Sequence, residues 1–145
     1  MKYTLELLIN KPRPEVWEAF DDPQNIKKWQ RSLISLEMIS GKQGQPGAVS
    51  KRTYEEHGNQ FSLTEKIGYR EEPDRFDSTF ENEFAVNTVK NTFIEKTNEQ
   101  TLWQVETEYK FKTLLMRFLG PFVKKNYLAR TQKDMEWFKQ MVEGQ

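Results

Sequence analysis

Apolar and polar positions alternate along most of the chain, as in β-strands that bury one face. The alternation is clearest from Trp103 to Phe111, where every second residue is aromatic, Val or Thr and the residues between are polar or charged. The same period predicts further strands at residues 3–9, 33–40, 48–56, 61–69, 76–84 and 87–96. Turn sequences such as His57-Gly58-Asn59 and Glu72-Pro73-Asp74 separate them. We therefore expect an antiparallel sheet of about seven strands.

Helical spacing replaces this alternation in three places. Residues 14–20 have Pro and Glu in a first turn and then an apolar side, and Asp22 is a candidate cap for a second short helix over residues 23–29. Residues 114–142 carry apolar side chains three and four positions apart, which predicts a long terminal helix. Gly120-Pro121 interrupts this pattern, so a kink or a restart of the helix is expected there.

A sheet with one apolar face needs a covering element, and the long amphipathic helix can provide it. The order of elements therefore predicts an α+β fold. In that fold a curved antiparallel sheet wraps around the C-terminal helix, and two short helices after the first strand close one end. The length of 145 residues predicts a single domain, residues 1–145.

The residue inventory excludes several kinds of site. The chain has no cysteine and one histidine, His57, which rules out disulfides, thiolate zinc sites, iron–sulfur clusters and multi-histidine metal sites. We therefore expect no metal and no cofactor. No apolar run reaches the roughly 18 residues of a transmembrane segment, and the N-terminus lacks the pattern of a secretory signal. The expected location is the cytoplasm.

Charge is balanced overall, at 22 basic and 22 acidic residues, but it is unevenly placed. Residues 71–108 contain ten acids and three bases, whereas residues 112–133 contain six bases and no acid. The favoured interpretation is a basic helix that lies over an acidic sheet. A basic surface for anionic lipid or nucleic acid is the alternative. A net charge of zero argues against a nucleic-acid partner.

At this level the sequence resembles the START and birch-pollen-allergen superfamily, also called SRPBCC or polyketide cyclase/dehydrase-like. The resemblance covers the whole chain and rests on structural motifs: Pro14-Glu15-Val16-Trp17, Asp22-Pro23 with Trp29, Gly41 and Gly47, Asn87 to Phe93, Thr101-Leu102-Trp103, and Phe138-Lys139. It implies a helix-grip fold with a mostly apolar cavity that holds lipids, polyketides or other small molecules. The missing cysteines and the single histidine exclude the superfamily's iron-dependent oxygenase branch.

Side chains on the inward register are candidates for ligand contact, although each aromatic residue among them has core packing as its simpler role. The candidate ligand-binding residues are Trp29, Phe61, Leu63, Glu65, Ile67, Phe80, Asn82, Asn91, Phe93, Trp103, Val105, Phe118 and Phe122. Asn82 and Asn91 are included because polar side chains in an apolar cavity can orient a polar group of the ligand.

Glu65 is the one carboxylate on the apolar face of its predicted strand, where a charge is costly unless it is paired. It is a candidate for a catalytic general acid or a ligand anchor. The alternatives are a bulge that turns it outward, or a partnership with Lys, Arg or Tyr at the cavity mouth.

Three functions are consistent with these observations. The leading one is a binding protein for a small apolar molecule, such as a lipid, a polyketide or an aromatic compound, without catalysis. The second is a cofactor-free cyclase or dehydratase in which Glu65 moves protons. The third is a module that interacts with a protein or a membrane through the basic C-terminal helix. The sequence leaves the ligand's identity and the oligomeric state open.

Overall fold

The computed structural model describes residues 1–144. Seven strands lie within these residues: β1 (Lys2–Ile9), β2 (Leu33–Ser40), β3 (Val49–Glu56), β4 (Asn59–Glu71), β5 (Arg75–Glu81), β6 (Ala85–Thr97) and β7 (Gln100–Phe111). They form one antiparallel sheet in the order β1-β7-β6-β5-β4-β3-β2. Every neighbouring pair except β1–β7 is therefore a hairpin. The last strand, β7, pairs with the first strand, β1, so that β1 and β2 are the two edges of the sheet.

Helix α1 (Arg13–Asp21) follows β1, as predicted. The second predicted helix is split into a 3-10 turn (Pro23–Asn25) and a single α-helical turn, α2 (Ile26–Trp29). Asp22 caps this segment as expected, because its side chain accepts a hydrogen bond from the backbone N–H of Gln24 at 2.9 Å. The sequence thus predicts the position of the segment, and the structure shows how it is divided.

The long helix α3 (Leu114–Gly144) runs through Pro121 without ending, so of the expected kink or restart, the restart does not occur. One proline removes only one hydrogen bond of the helix, and neighbouring turns hold the segment in place. Gly120 lies directly against β7. A Cβ atom at this position would be 2.7 Å from Cε2 of Phe111. The first turns of α3 can therefore approach the sheet closely only through a residue without a side chain.

The α+β helix-grip architecture predicted from the sequence is confirmed. Its main core lies between α1, α2, the C-terminal half of α3 and the sheet. Large aromatic side chains dominate it, with Trp17, Phe93, Trp103 and Phe138 at most 3% exposed. Edge-to-face contacts connect the rings, such as Trp103 and Phe138 with centroids 4.9 Å apart. The helices are thus fixed on one end of the sheet.

The alternation of the predicted strands over residues 61–69 and 76–84 places Tyr69 and Phe84 on the inward face, but both point outward. Tyr69 is 48% exposed, because a bulge between Ile67 and Arg70 shifts the register by one residue and turns the side chain of Arg70 inward instead. Phe84 is also 48% exposed, since β5 ends at Glu81 rather than at residue 84. Alternation in the sequence cannot reveal such a break, because the residues on both sides of it remain strand-like.

Charge pairing between the acidic and basic segments is limited to one contact among residues 1–144, that of Lys112 with Glu81. Arg130 pairs instead with Glu56, which precedes the acidic segment. The interpretation of α3 as a basic helix lying over an acidic sheet is therefore only partly correct. No helix in this part of the chain combines the length and apolar character needed to cross a membrane.

Candidate ligand-binding cavity

A cavity of about 200 Å³ lies between the concave face of the sheet, α2 and the C-terminal half of α3. Strands β2 to β7 form its floor, and Thr131, Asp134 and Met135 of α3 cover it. The loop between β2 and β3 reaches its rim with Gln43 and Gly44. Pockets for small molecules commonly measure about 300–1,000 Å³, and an apolar cavity of about 150 Å³ holds benzene. The space therefore suits a molecule of one or two rings.

One wall of the cavity is aromatic. The rings of Trp29 and Trp103 meet edge to face with centroids 5.8 Å apart, and Phe20 contacts both. Trp29 comes from α2, Phe20 from the end of α1 and Trp103 from β7. Flat rings from three different elements thus form a surface on which a planar ligand can stack.

A buried ion pair forms part of the floor. Nη2 of Arg52 lies 2.8 Å from Oε1 of Glu65, and the two residues are 7% and 4% exposed. The hydroxyl of Ser78 donates to Oε2 of Glu65 at 2.8 Å, and that of Ser50 donates to Oε1 at 3.4 Å. The carboxylate therefore has a partner on each oxygen, as a buried charge requires. Glu65 is inward because no bulge interrupts the pairing of β3 with β4 around it.

The register of the sheet explains this cluster. Ser50 of β3 lies directly opposite Glu65 of β4, and Arg52 is two residues along the same face. Ser78 of β5 pairs with Ile67 and is therefore a diagonal neighbour of Glu65. Burial lowers the pKa of Arg52, but the neighbouring Glu65 carboxylate and Tyr54 more than offset this, so the pKa of Arg52 is raised overall.

Gln30 joins the loop after α2 to this cluster. Its Oε1 accepts hydrogen bonds from the hydroxyl of Tyr54 at 3.0 Å and from Nη1 of Arg52 at 3.3 Å. Burial raises the pKa of Tyr54, which keeps its hydroxyl protonated. The Tyr54 ring stacks on Phe61 at 5.4 Å. The position of Arg52 is thus fixed from two sides.

Asp134 of α3 introduces a second carboxyl group at the opposite side of the cavity. Burial raises its pKa to about 7, although the positive charge of Arg130 acts in the other direction. Arg130 itself is held by Glu56, with Nη1 3.2 Å from Oε1. A carboxyl group with this pKa exchanges its proton near neutral pH, as a general acid or base must.

Two hydrogen-bond donors of the cavity-lining residues have no partner among residues 1–144. They are Nε of Arg52 and Nε1 of Trp29, both buried. An unpaired buried donor costs about 1–3 kcal/mol. Both atoms would gain from a ligand that carries an acceptor oxygen.

Most of the sequence-predicted candidates lie around this cavity. Its lining includes Trp29, Phe61, Leu63, Glu65, Ile67, Phe80, Asn91, Trp103 and Val105. That they bind a ligand stays a prediction. The amide of Asn91 is engaged within the protein, since Nδ2 donates to the Phe76 carbonyl at 3.2 Å and Oδ1 accepts from Nε1 of Trp103 at 3.0 Å.

The remaining four candidates lie elsewhere. Phe93 is packed between Trp17, Phe20 and Trp103 in the core, because α1 covers this part of β6. Asn82 lies in the β5–β6 turn, where its Oδ1 accepts hydrogen bonds from the backbone N–H groups of Phe84 and Ala85.

Phe118 and Phe122 are each 72% exposed. Gly120 is the residue that faces the sheet, and positions two residues away lie on the opposite side of a helix. The placement of Phe118 and Phe122 in the cavity was therefore wrong.

Sequence patterns did not indicate five further polar residues of the cavity lining, namely Arg52, Ser50, Tyr54, Gln30 and Asp134. Polar residues occupy both faces of β3, so no alternation of apolar and polar residues indicates which face points inward. A signal was nevertheless present in the turn sequence His57-Gly58-Asn59. The structure pairs Glu56 with Asn59 across this turn, and counting back from that pair places Ser50 opposite Glu65. Asp134 has no comparable signal, since its burial depends on how α3 docks.

No protein-family model matches the sequence, and no curated protein matches it either. Solved structures do resemble the fold. A START superfamily protein from Mycobacterium smegmatis superposes with a TM-score of 0.80 at 14% identity, covering 97% of this chain and 96% of that one. Major latex-like protein 151 from Panax ginseng gives 0.77 at 17% identity, covering 98% and 97%.

Norcoclaurine synthase from Thalictrum flavum, solved in complex with dopamine and hydroxybenzaldehyde, gives a TM-score of 0.74 at 13% identity, covering 98% of this chain and 86% of that one. At such identities the similarity concerns the fold alone. The element order, the sheet topology and these superpositions agree, and the chain has the helix-grip fold of the START and birch-pollen-allergen superfamily.

Proposed function

We propose that this protein binds a small apolar molecule of one or two rings that carries an acceptor oxygen. The observation that supports this most directly is the combination of an aromatic-walled cavity with two unpaired donors, Arg52 Nε and Trp29 Nε1. The rings supply dispersion and hydrophobic contact, and the donors select for a carbonyl or carboxylate. Long lipids and sterols are disfavoured by a volume of about 200 Å³.

The fold neighbours are consistent with this proposal. Dopamine and hydroxybenzaldehyde, with which the norcoclaurine synthase was solved, are single-ring compounds. Hydroxybenzaldehyde also carries a carbonyl oxygen, the acceptor that the donors in this cavity lack. It is therefore a suitable probe for the present protein.

The test is a calorimetric titration with two matched probes, 4-hydroxybenzaldehyde and 4-methylphenol. They share the ring and the hydroxyl group, but only the aldehyde has a carbonyl. A hydrogen bond with a charged donor contributes about 1.5–3 kcal/mol, so we expect the aldehyde to bind at least about tenfold more tightly.

A filled cavity provides the second arm of this test. Leu63→Trp places a larger side chain into the lining, and Ile94→Trp, at a half-buried position of β6 outside the lining, is the matched control. We expect only the first variant to lose binding. Equal affinity for both probes would contradict the role of the donors, and binding unaffected by Leu63→Trp would contradict the cavity as the site.

A second candidate function is proton-transfer catalysis without a cofactor, and Asp134 is the residue that favours it. Its pKa of about 7 and its position in the cavity lining suit a general acid or base. Glu65 is less suited, because both of its oxygens already have partners. Its Oε1 accepts from Arg52 and Ser50, and its Oε2 accepts from Ser78.

Asp134→Asn separates the two functions. If the protein is a binding protein, the variant keeps its affinity for the aldehyde probe and no turnover of that probe is seen in either form. Consumption of 4-hydroxybenzaldehyde together with dopamine by the wild type, faster than the uncatalysed reaction of the two compounds and abolished in the variant, would support the enzyme instead.

A further inference from the structure

Large apolar side chains form a stripe along the outer side of the first turns of α3. Leu114, Leu115, Phe118 and Phe122 are 80%, 66%, 72% and 72% exposed. Three of them, Leu114, Phe118 and Phe122, recur every four residues, which places them on one face of the helix. The rings of Phe118 and Phe122 have centroids 6.3 Å apart. We call these four residues the α3 stripe.

The α3 stripe is not part of the side of the helix that packs on the sheet. The opposite side of the helix is already held against β7 by the contact between Gly120 and Phe111. Among residues 1–144 no element covers the stripe. Exposed contiguous apolar surface of this kind marks an interaction site in soluble proteins.

Basic residues flank the stripe. Arg117, Lys124 and Lys125 are exposed, and residues 112–133 contain six bases and no acid. Lys112 pairs with Glu81, and the exposed Glu83 lies in the adjacent β5–β6 turn. The surface around the stripe is therefore predominantly positive although the whole chain has no net charge.

We infer that the α3 stripe docks this protein onto an anionic lipid bilayer. Apolar rings flanked by Lys and Arg are the pattern of helices that lie in the interface between head groups and acyl chains. Each basic residue near such a surface adds to the attraction. A second copy of the chain fits less well, because a two-fold contact through the stripe would bring Arg117, Lys124 and Lys125 of both copies together.

The same helix also covers the cavity through Thr131, Asp134 and Met135. Phe122 and Thr131 are nine residues apart, so docking through the first turns of α3 would leave the cavity-covering part of the helix about 14 Å from the stripe. The docking itself does not depend on the proposed cavity function and can be tested without any ligand.

The experiment is sedimentation with vesicles of phosphatidylcholine alone and of phosphatidylcholine with an equal amount of phosphatidylglycerol. The apolar variant combines Phe118→Ser and Phe122→Ser, and the charge variant combines Lys124→Glu and Lys125→Glu. Ile39→Ser is the matched control, because Ile39 is 60% exposed on the edge strand β2. All substituted side chains are exposed, and circular dichroism verifies that each variant is folded.

We expect the wild type and Ile39→Ser to bind the anionic vesicles at least about tenfold more strongly than the neutral ones, and less strongly in about 0.5 M salt. Both double variants should lose about tenfold or more of this binding. Equal binding to both vesicle types, or wild-type binding by the apolar variant, would overturn the proposal. So would a wild-type dimer that fails to bind vesicles and becomes monomeric in the apolar variant.

Discussion

Arg52 and Glu65 illustrate how two charged residues are accommodated in an apolar interior. Each is less than a tenth exposed, and the ion pair at 2.8 Å is supplemented by the hydroxyls of Ser50 and Ser78 and by the amide oxygen of Gln30. Removing one partner from such a pair leaves an unbalanced buried charge, whereas replacing both by apolar side chains is often neutral.

This asymmetry gives a prediction for the free energy of unfolding. Arg52→Met alone should lower it by about 3–5 kcal/mol. The combination of Arg52→Met and Glu65→Leu should be clearly more stable than that single variant, although the second change removes further polar contacts. Urea unfolding of both variants and of the wild type checks this. A double variant less stable than Arg52→Met would show that the pair is not electrostatically coupled.

Asp134 gives a pH-dependent prediction. Its pKa is about 7 in the folded protein and near 3.8 in the unfolded chain, so between these values only the folded state holds the proton. The contribution of Asp134 to stability is therefore present at low pH and is lost as the pH rises through 7.

Asp134→Asn removes this dependence. The difference in unfolding free energy between the variant and the wild type should shift in favour of the variant by about 1–2 kcal/mol when the pH is raised from 5 to 8. Thermal unfolding of both proteins at the two pH values measures the difference. An effect of the substitution that is the same at both pH values would mean that Asp134 titrates as an ordinary surface carboxylate.

At the scale of elements, the connection between β2 and β3 forms part of the cavity rim. Gly44 lines the cavity, and its carbonyl accepts a hydrogen bond from Nη1 of Arg70 at 3.0 Å. Arg70 also binds Asp21 at the end of α1, with Nη2 2.8 Å from Oδ2. The bulge in β4 that turns Arg70 inward thereby ties the connection to the first helix.

Gly41 and Gly47 begin and end this connection, with φ angles of +79° and +85°. An alanine in this left-handed region costs about 1–2 kcal/mol. A Cβ atom at Gly41 would in addition lie 2.8 Å from Cα of Ala48, whereas one at Gly47 would have no neighbour within 4 Å.

We therefore expect Gly41→Ala to lower the free energy of unfolding by roughly 1–3 kcal/mol more than Gly47→Ala does. Chemical denaturation of the two variants compares them directly, because both share the cost of the backbone conformation. Equal losses would mean that the connection relaxes and that the close approach to Ala48 is not needed.

At the scale of the whole molecule, the fold could be predicted from the sequence because each strand has its own alternation and each helix its own spacing. Prediction failed where a side chain's direction depends on tertiary contacts. Tyr69 was misplaced by a bulge, and Phe118 by the docking of α3 through Gly120. The candidate site was found on the apolar side of the sheet, whereas the polar face of β3 with Arg52 was missed because it requires counting the hairpin register.

The proposed binding of a ligand's acceptor oxygen to Arg52 and Trp29 is best tested by nuclear magnetic resonance of the nitrogen-bound protons. The indole N–H groups are a built-in comparison, because Nε1 of Trp17 donates to Glu72 and that of Trp103 to Asn91, whereas Nε1 of Trp29 has no partner among residues 1–144. On addition of 4-hydroxybenzaldehyde, we expect the Nε–H signal of Arg52 and the Nε1–H signal of Trp29 to move strongly downfield, while the Nε1–H signal of Trp17 stays in place. Unchanged Arg52 and Trp29 signals at a saturating probe concentration would contradict binding of the acceptor oxygen to these two donors.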